Sequence, residues 1–351
     1  MDYMTGLTQV AITARKTVRY TIYAVIFLMV GKVVLDLTIG IYKKVFPTPP
    51  PPPTVKYGKL PKIDFPEAQK VNLTYVLETP EGDFPKLPTQ TKVFFMPKVS
   101  PNLLSLDVAK AKARSLGFVG EPQTISDTIH RFTNPNFPSQ MEMNIVTGIF
   151  SISYDLNADR TPLEKKPPVA EVAASLFRSL LSNADILPSD LTGPTDSEFF
   201  KLSEGKFVTA LSLSEADAVK VNLFRKNYDE LPVLTTNPSE ANVWTIMGGS
   251  TDKNKQILAA EYHYYPVDET QFSTYPTKTP QDAFAELQSG GAYIANQGLV
   301  KDGETLKIRR VYLAYFDPET PGEFLQTIYV FEGDKGFIAY LPAVTTDYYG
   351  E

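Results

Sequence analysis

Thr279-Pro-Gln-Asp-Ala-Phe-Ala-Glu-Leu287, stopped by Gly290-Gly291 and followed by extended runs at 305–316, 324–331 and 336–341, sets the fold class. Thr279 supplies a hydroxyl cap, and Pro280 takes the first helical position, where its missing N–H costs nothing. Ala283, Phe284 and Leu287 share one face. The runs that follow are rich in aromatic and β-branched residues, as strands are. The same order opens near residue 105. There Ser105 is the expected cap, Val108, Ala111 and Leu116 the expected buried face, and Gly117 the stop. Runs at 126–133, 140–146 and 149–154 follow, with Thr147-Gly148 turning the last pair. Between these two units a further helix is predicted over 169–182, with Val172, Ala173, Leu176, Phe177 and Leu180 in one stripe. Extended runs then fill 207–266, and two earlier ones lie at 71–77 and 92–96. Helices laid over antiparallel strands give an α+β fold, with each sheet covered by a helix.

Ahead of that body stands a different kind of sequence. Arg15, Lys16 and Arg19 precede an apolar stretch at 20–42, then Lys43-Lys44 and Pro47-Thr-Pro-Pro-Pro-Pro-Pro53. Twenty-three residues suffice to cross a bilayer core, which needs about 20. A single N-terminal transmembrane helix is therefore expected, with the basic leader in the cytoplasm and the body extracytoplasmic. Lys32 and Asp36 interrupt the apolar stretch, and a charge at mid-membrane costs about 2.5–3.5 kcal/mol. Their i, i+4 spacing puts both on one helix face. Three readings stand: an uncleaved anchor whose Lys32 snorkels, an anchor whose Lys32/Asp36 face meets a membrane protein partner, and a signal peptide without a small-residue cleavage site. The proline run reads as a spacer; extended throughout 47–66 it spans about 60 Å. The expected organisation is a leader (1–19), an anchor (20–42), a stalk (43–66), a first helix-plus-strands unit (67–158) and a larger α+β domain (168–345), parted by the polar stretch 155–168.

Composition narrows the chemistry. The chain has 351 residues, 43% of them hydrophobic, and no cysteine, so disulfides, thiolate metal sites and cysteine nucleophiles are ruled out. Residues 1–62 carry nine Lys/Arg against two Asp/Glu, and the net charge of −6 leaves the remainder about −13. An acidic body is a poor nucleic-acid binder.

Motifs with catalytic spacing do not hold up. Ser203–Lys206 and Ser250–Lys253 have the Ser-x-x-Lys spacing of acyl-enzymes, but both lie in turn-like sequence and no Lys-Thr-Gly accompanies them. Asp155-Leu-Asn-Ala-Asp159 imitates a calcium loop, yet Arg160 and Lys166 stand where Gly and Glu belong. His130 and His263 alternate with apolar neighbours, as half-exposed strand histidines do. Tyr262, Tyr264, Tyr265, Tyr312 and Tyr315 have two readings, sheet filling or a recognition face. No catalytic, cofactor-binding or metal residue is assigned, and no cofactor is expected. Lys32 and Asp36 are the candidate contact residues.

One longer pattern carries a resemblance. Val221-Asn-Leu-Phe-Arg-Lys-Asn-Tyr-Asp-Glu-Leu-Pro-Val233 is followed by Tyr275-Pro-Thr-Lys-Thr-Pro-Gln-Asp-Ala-Phe-Ala-Glu-Leu287, Arg310-Val-Tyr-Leu-Ala-Tyr-Phe316 and Gln326-Thr-Ile-Tyr-Val-Phe-Glu-Gly333. This order resembles the extracytoplasmic domain of the YycI/YycH regulators of the WalK sensor kinase over 207–343. The 105–154 unit, with Leu116-Gly-Phe118 ending its helix, looks like a PepSY-type module. The resemblance implies a membrane-anchored, non-catalytic regulator that binds a sensor kinase. Its rivals are a PepSY-type inhibitor of a secreted peptidase and an envelope hydrolase.

Overall fold

The computed structural model describes residues 3–45, 51–67, 71–101 and 104–350, with side chains described from residue 14 to 40 in the first stretch. Two compact units result, Met1–Pro52 and Pro53–Glu351. In the first, α1 (Tyr3–Val45) is one unbroken helix. Within its segment Ala14–Gly40 an 18-residue stretch reaches a mean hydropathy of 2.1, and none of the segment is buried. At 1.5 Å per residue this is about 40 Å long, enough to cross a bilayer core. Residues 46–50, which hold the first four of the seven residues of the expected proline run, lie outside the described residues.

In the second unit β1 (Thr74–Leu77) and β2 (Gln90–Phe95) precede α2 (Ser105–Ser115). Then come β3 (Gln123–Thr124), β4 (Ile129–Thr133), β5 (Ser139–Asn144) and β6 (Phe150–Tyr154). After α3 (Ala170–Asn183) follow β7 (Thr195–Ser203), β8 (Lys206–Thr209), β9 (Ala218–Leu223), β10 (Val233–Leu234), β11 (Val243–Met247) and β12 (Ile257–Tyr262). The chain ends with β13 (Asp268–Pro276), α4 (Pro280–Gln288), β14 (Tyr293–Asn296), β15 (Thr305–Phe316), β16 (Phe324–Gly333) and β17 (Ile338–Pro342).

These strands make two large sheets in a mixed α+β body. Nine form one sheet in the order β3-β4-β5-β6-β12-β11-β9-β7-β8, all antiparallel. The other eight centre on β1-β15-β16-β17-β14, with β2 beside β16, β13 beside β2 and β10 beside β15. Two pairings here are parallel, β1 with β15 and β10 with β15, where antiparallel strands alone are expected.

The expected parting at 155–168 is not a parting of the fold. Strand β6 pairs with β12 across it, Ser151 facing Glu261, so the nine-stranded sheet is continuous from 123 to 262. Nor do 67–101 belong with 105–154. Strands β1 and β2 join the sheet built by 268–342, so the stretch 105–264 is inserted into a sheet made by chain before and after it, to which the insertion adds the short strand β10. Local patterning reports strands one at a time and says nothing of which edge each one joins.

Side-chain size explains how the helices dock. Ala109 and Ala113 bury on α2 and let it lie close, while Val108 stays half exposed, so the predicted face was turned by about one position. Ser105 is the first helical residue and Leu104 occupies the cap. On α3 the buried residues are Ala173, Ala174, Phe177 and Leu181; Val172 is outside. Both helices share one core with Phe132, Met141, Ile152, Val221 and Val243. Helix α4 follows expectation: Thr279 Oγ1 accepts from Asp282 N at 3.1 Å, and Ala283, Phe284 and Leu287 are buried. Gly290 ends it at φ +82°, a conformation glycine adopts freely.

Strand β16 is buried on both faces, which its near-continuous apolar sequence requires. One face packs on α4, through Tyr329 and Phe331. The other is covered by residues taken above for stalk. Leu60 is wholly buried, Phe65 stacks on Tyr293 at 5.1 Å, and Leu60 bridges to Tyr349. Thr54 hydrogen-bonds Ser273 and Thr274. The strap 54–66 is thus part of the body; its prolines and lysines mask the spaced apolar residues that bind it there.

Candidate functional site

Arg225, in the Arg-Lys-x-Tyr segment quoted above, is the electrostatic centre of the body. Only 1% of its side chain is exposed. It sits just past β9, where Gly193 approaches so closely that a Cβ there would lie 2.0 Å from the Arg225 carbonyl oxygen. Its Nη1 donates to Asp190 Oδ2 at 2.5 Å, its Nη2 to the Tyr265 carbonyl at 2.6 Å, and its Nε lies 3.0 Å from Asp317 Oδ2. Tyr228 and Tyr264 donate to the two oxygens of Asp190, at 2.7 and 2.9 Å. The guanidinium carbon is 4.3 Å from the centre of the Tyr264 ring.

Burial works against the charge on Arg225, but Asp317 and Asp190 outweigh it and hold its pKa above the ordinary value. Burial lifts the Asp317 carboxyl above the usual range, with Arg225 opposing the rise. Asp317 follows β15 in the eight-stranded sheet; Arg225 and Tyr264 follow strands of the nine-stranded one. The cluster therefore rivets the two sheets together, and Asn242 Nδ2 adds a bond to the Asp317 carbonyl at 3.1 Å.

Beside the rivet the uncovered face of the nine-stranded sheet forms a cleft of about 210 Å³. Trp244, the chain's single tryptophan, stands in register with Glu261 on β12 and Asn222 on β9. The Lys220 ammonium lies 4.3 Å from the centre of its ring and is paired with Glu240. His263 Nε2 is 3.0 Å from Glu261, and Asn237 and Glu319 complete the wall. An aromatic plate ringed by carboxylates and amides suits a polar, hydroxyl- or amine-bearing group. Two of the three carboxylates are already engaged, by Lys220 and His263.

The residues singled out in the sequence are spread apart. Lys32 and Asp36 are both exposed on α1, and among the described residues no ion pair joins them. The five tyrosines spend their hydroxyls inside the body: Tyr262 on Ile186 O, Tyr264 on Asp190, Tyr265 on Glu319 O, Tyr312 on Glu332 and Tyr315 on Lys92 O. Burial raises all five pKa values, that of Tyr265 to about 12. His130 is buried where a half-exposed residue was expected; His263 is the half-exposed one. Ser203 and Lys206 flank the hairpin turn between β7 and β8. Among the described residues no group of three or more His, Cys, Asp or Glu is placed to hold a metal ion.

In the calcium-like loop a lysine takes the cation's part. Asp159 accepts from Lys255 Nζ at 2.8 Å, Tyr154 at 2.7 Å and Thr161 N at 2.9 Å. These bonds, that of Lys255 first, hold its carboxyl well below the usual range. A depressed folded pKa gives stability that is full above the unfolded value of about 3.9 and is lost as pH falls below it. The melting temperature of the parent should therefore exceed that of Asp159→Asn at pH 7, with the gap narrowing below about pH 4. A gap that persists unchanged into acid would contradict the assignment.

No family model matches the chain, and no curated protein does. Among solved structures, an uncharacterized protein from Eubacterium rectale is similar with a TM-score of 0.36 and 12% identity, over 74% of this chain and 84% of that one.

Proposed function

We propose that the chain is a single-pass membrane protein whose body stands outside the cytoplasm and binds an envelope partner without bond chemistry. The observation that carries this reading is Ala14–Gly40, an apolar helix with none of its length buried and with Arg15, Lys16 and Arg19 at its head. The partner class is a membrane sensor kinase, met in part through the Lys32/Asp36 face of the helix. A PepSY- and YycI-like body is supported by three successive helix-then-strands units, opened by α2, α3 and α4. The pairing of Glu240 with Lys220 and the contact of Glu261 with the His263 ring support recognition over hydrolysis in the Trp244 cleft.

Fractionation followed by crosslinking tests this. The chain should stay with membranes through an alkaline wash, and protease added to intact cells should cut the body. Changing Lys32 and Asp36 to Leu together should reduce the crosslinked membrane partner without releasing the chain. A full-length, unclipped chain in the supernatant would sink the reading, as would turnover of peptidoglycan by the purified protein.

A further inference from the structure

Helix α1 carries an unpartnered seam. Ile22, Val25, Met29, Lys32, Asp36 and Ile39 follow one another at alternating steps of three and four residues, the spacing of a coiled-coil core. Every one of them is exposed on the helix. A straight helix drifts by about 20° per heptad, so two helices joined along such a seam stay in contact by a slight left-handed supercoil. The two charges stand at successive core positions of the seam and not at its margin. Within one helix they are poorly placed for each other. The favoured order at i, i+4 is acid before base, whereas here the base comes first, and among the described residues no ion pair joins Lys32 to Asp36. Charges in lipid are costly unless they pair, so the seam requires a neighbour that brings an acid and a base to the same two levels.

We propose that α1 pairs in parallel with a second copy of itself along this seam, each copy's Lys32 bonded to Asp36 of the other. The inference rests on the membrane-spanning reading above and adds a self-associated state to it. The charges identify the neighbour. A base and an acid one turn apart are self-complementary when two identical helices lie parallel and in register. Lys32 of one copy reaches one turn along to Asp36 of the other, and the twofold axis repeats that bond with the roles exchanged. All four charges are then used and none is left over. The axial step between the two levels is about 6 Å, which the flexible four-carbon stem of lysine spans. The parallel direction needs no further cause, because every copy enters the membrane with its basic leader on the same side. A helix of another sequence has to offer an acid and a base at these same depths. The sensor kinase proposed above therefore competes with the second copy for this face, and self-pairing is the state from which it draws single chains.

The chain has no cysteine, so single introduced cysteines report the contact without background. Full-length Val25→Cys, Met29→Cys, Phe27→Cys and Val34→Cys variants are oxidised with copper phenanthroline in alkaline-washed membranes, and disulfide-linked dimer is read on a non-reducing gel. Phe27 and Val34 are exposed like the seam residues but lie on the opposite side of the helix. Val25→Cys and Met29→Cys should give dimer, and Phe27→Cys and Val34→Cys should give none. Adding Lys32→Asp or Asp36→Lys to Val25→Cys should lower the dimer yield about tenfold, the worth of an interhelical polar contact in lipid. Coexpressing these two charge variants, with tags of different size, should restore the yield in the mixed dimer alone. The scan itself alters no charge, so it decides even where a reversed charge keeps a helix from inserting. Equal yields at all four positions would overturn the proposal, as would a mixed dimer no more abundant than either charge variant gives by itself. Membrane-embedded chain without dimer at Val25→Cys and Met29→Cys would overturn it too, assigning the face to a different protein and leaving the anchor standing. Chain lost in the alkaline wash would instead overturn the anchor, and the dimer with it.

Discussion

Replacing Arg225 by Met should cost about 3–5 kcal/mol of folding stability, the largest single-residue effect expected in the body. The reason is what stays behind. Asp190 and Asp317 are 3% and 5% exposed, and Arg225 is the cation they share. Tyr228 and Tyr264 continue to donate to Asp190, so Asp317 suffers most. Urea unfolding of the full chain should show a lower midpoint at an unchanged slope, because the surface exposed on unfolding is the same. Arg225→Lys should fall between the two, since it keeps the charge and loses the fork that spans both carboxylates. Combining Arg225→Met with Asp190→Asn and Asp317→Asn should recover much of the loss, as no unpaired charge is then buried. A single Arg225→Met variant within about 1 kcal/mol of the parent would show that the cluster is not a rivet.

The second large effect is expected at Leu60, a residue whose sequence context reads as spacer. Leu60→Ala should destabilise by about 2–5 kcal/mol, the cost of emptying a filled apolar site. Leu60 is wholly buried against Val93, Tyr275 and Val344, and its N–H donates to the Tyr348 carbonyl at 2.8 Å. Lys59→Ala, an exposed neighbour in the same strap, should change little. Equal, small effects at both positions would mean the strap is a stalk after all. Thermal or chemical melts of the two variants decide between these outcomes.

The helices and the strongest strands were legible because their signals are local. Thr279-Pro280 begins α4 where expected, and strand β15 runs over Thr305–Phe316, the range its composition implies. Strands β7 and β13 were missed. Their residues are mostly polar and exposed, so no alternation stands out. The partner of each strand was invisible for a deeper reason: β1 meets β15 more than 200 residues away, and no property of either names the other. The candidate site divides in the same way. Arg225 and Tyr228 lie in the distinctive Arg-Lys-x-Tyr segment, whereas Asp190 and Asp317 sit in loops like many other aspartates. The single tryptophan was a usable signal for the Trp244 cleft, but Glu240 and Glu319 reach it from separate segments.

Because the eight-stranded sheet takes strands from before and after its 105–264 insertion, the order of synthesis matters. Strands β1 and β2 leave the ribosome early and cannot pair until β15, β16 and β13 exist. The strap waits longer still, since Ile63 and Leu60 are held by Tyr349 and Tyr348. The inserted stretch, whose nine strands are consecutive apart from β10, has its partners at hand much sooner. During translation, then, the middle of this protein should mature first, and its opening segment should remain open to proteases and chaperones until the final turn of chain arrives.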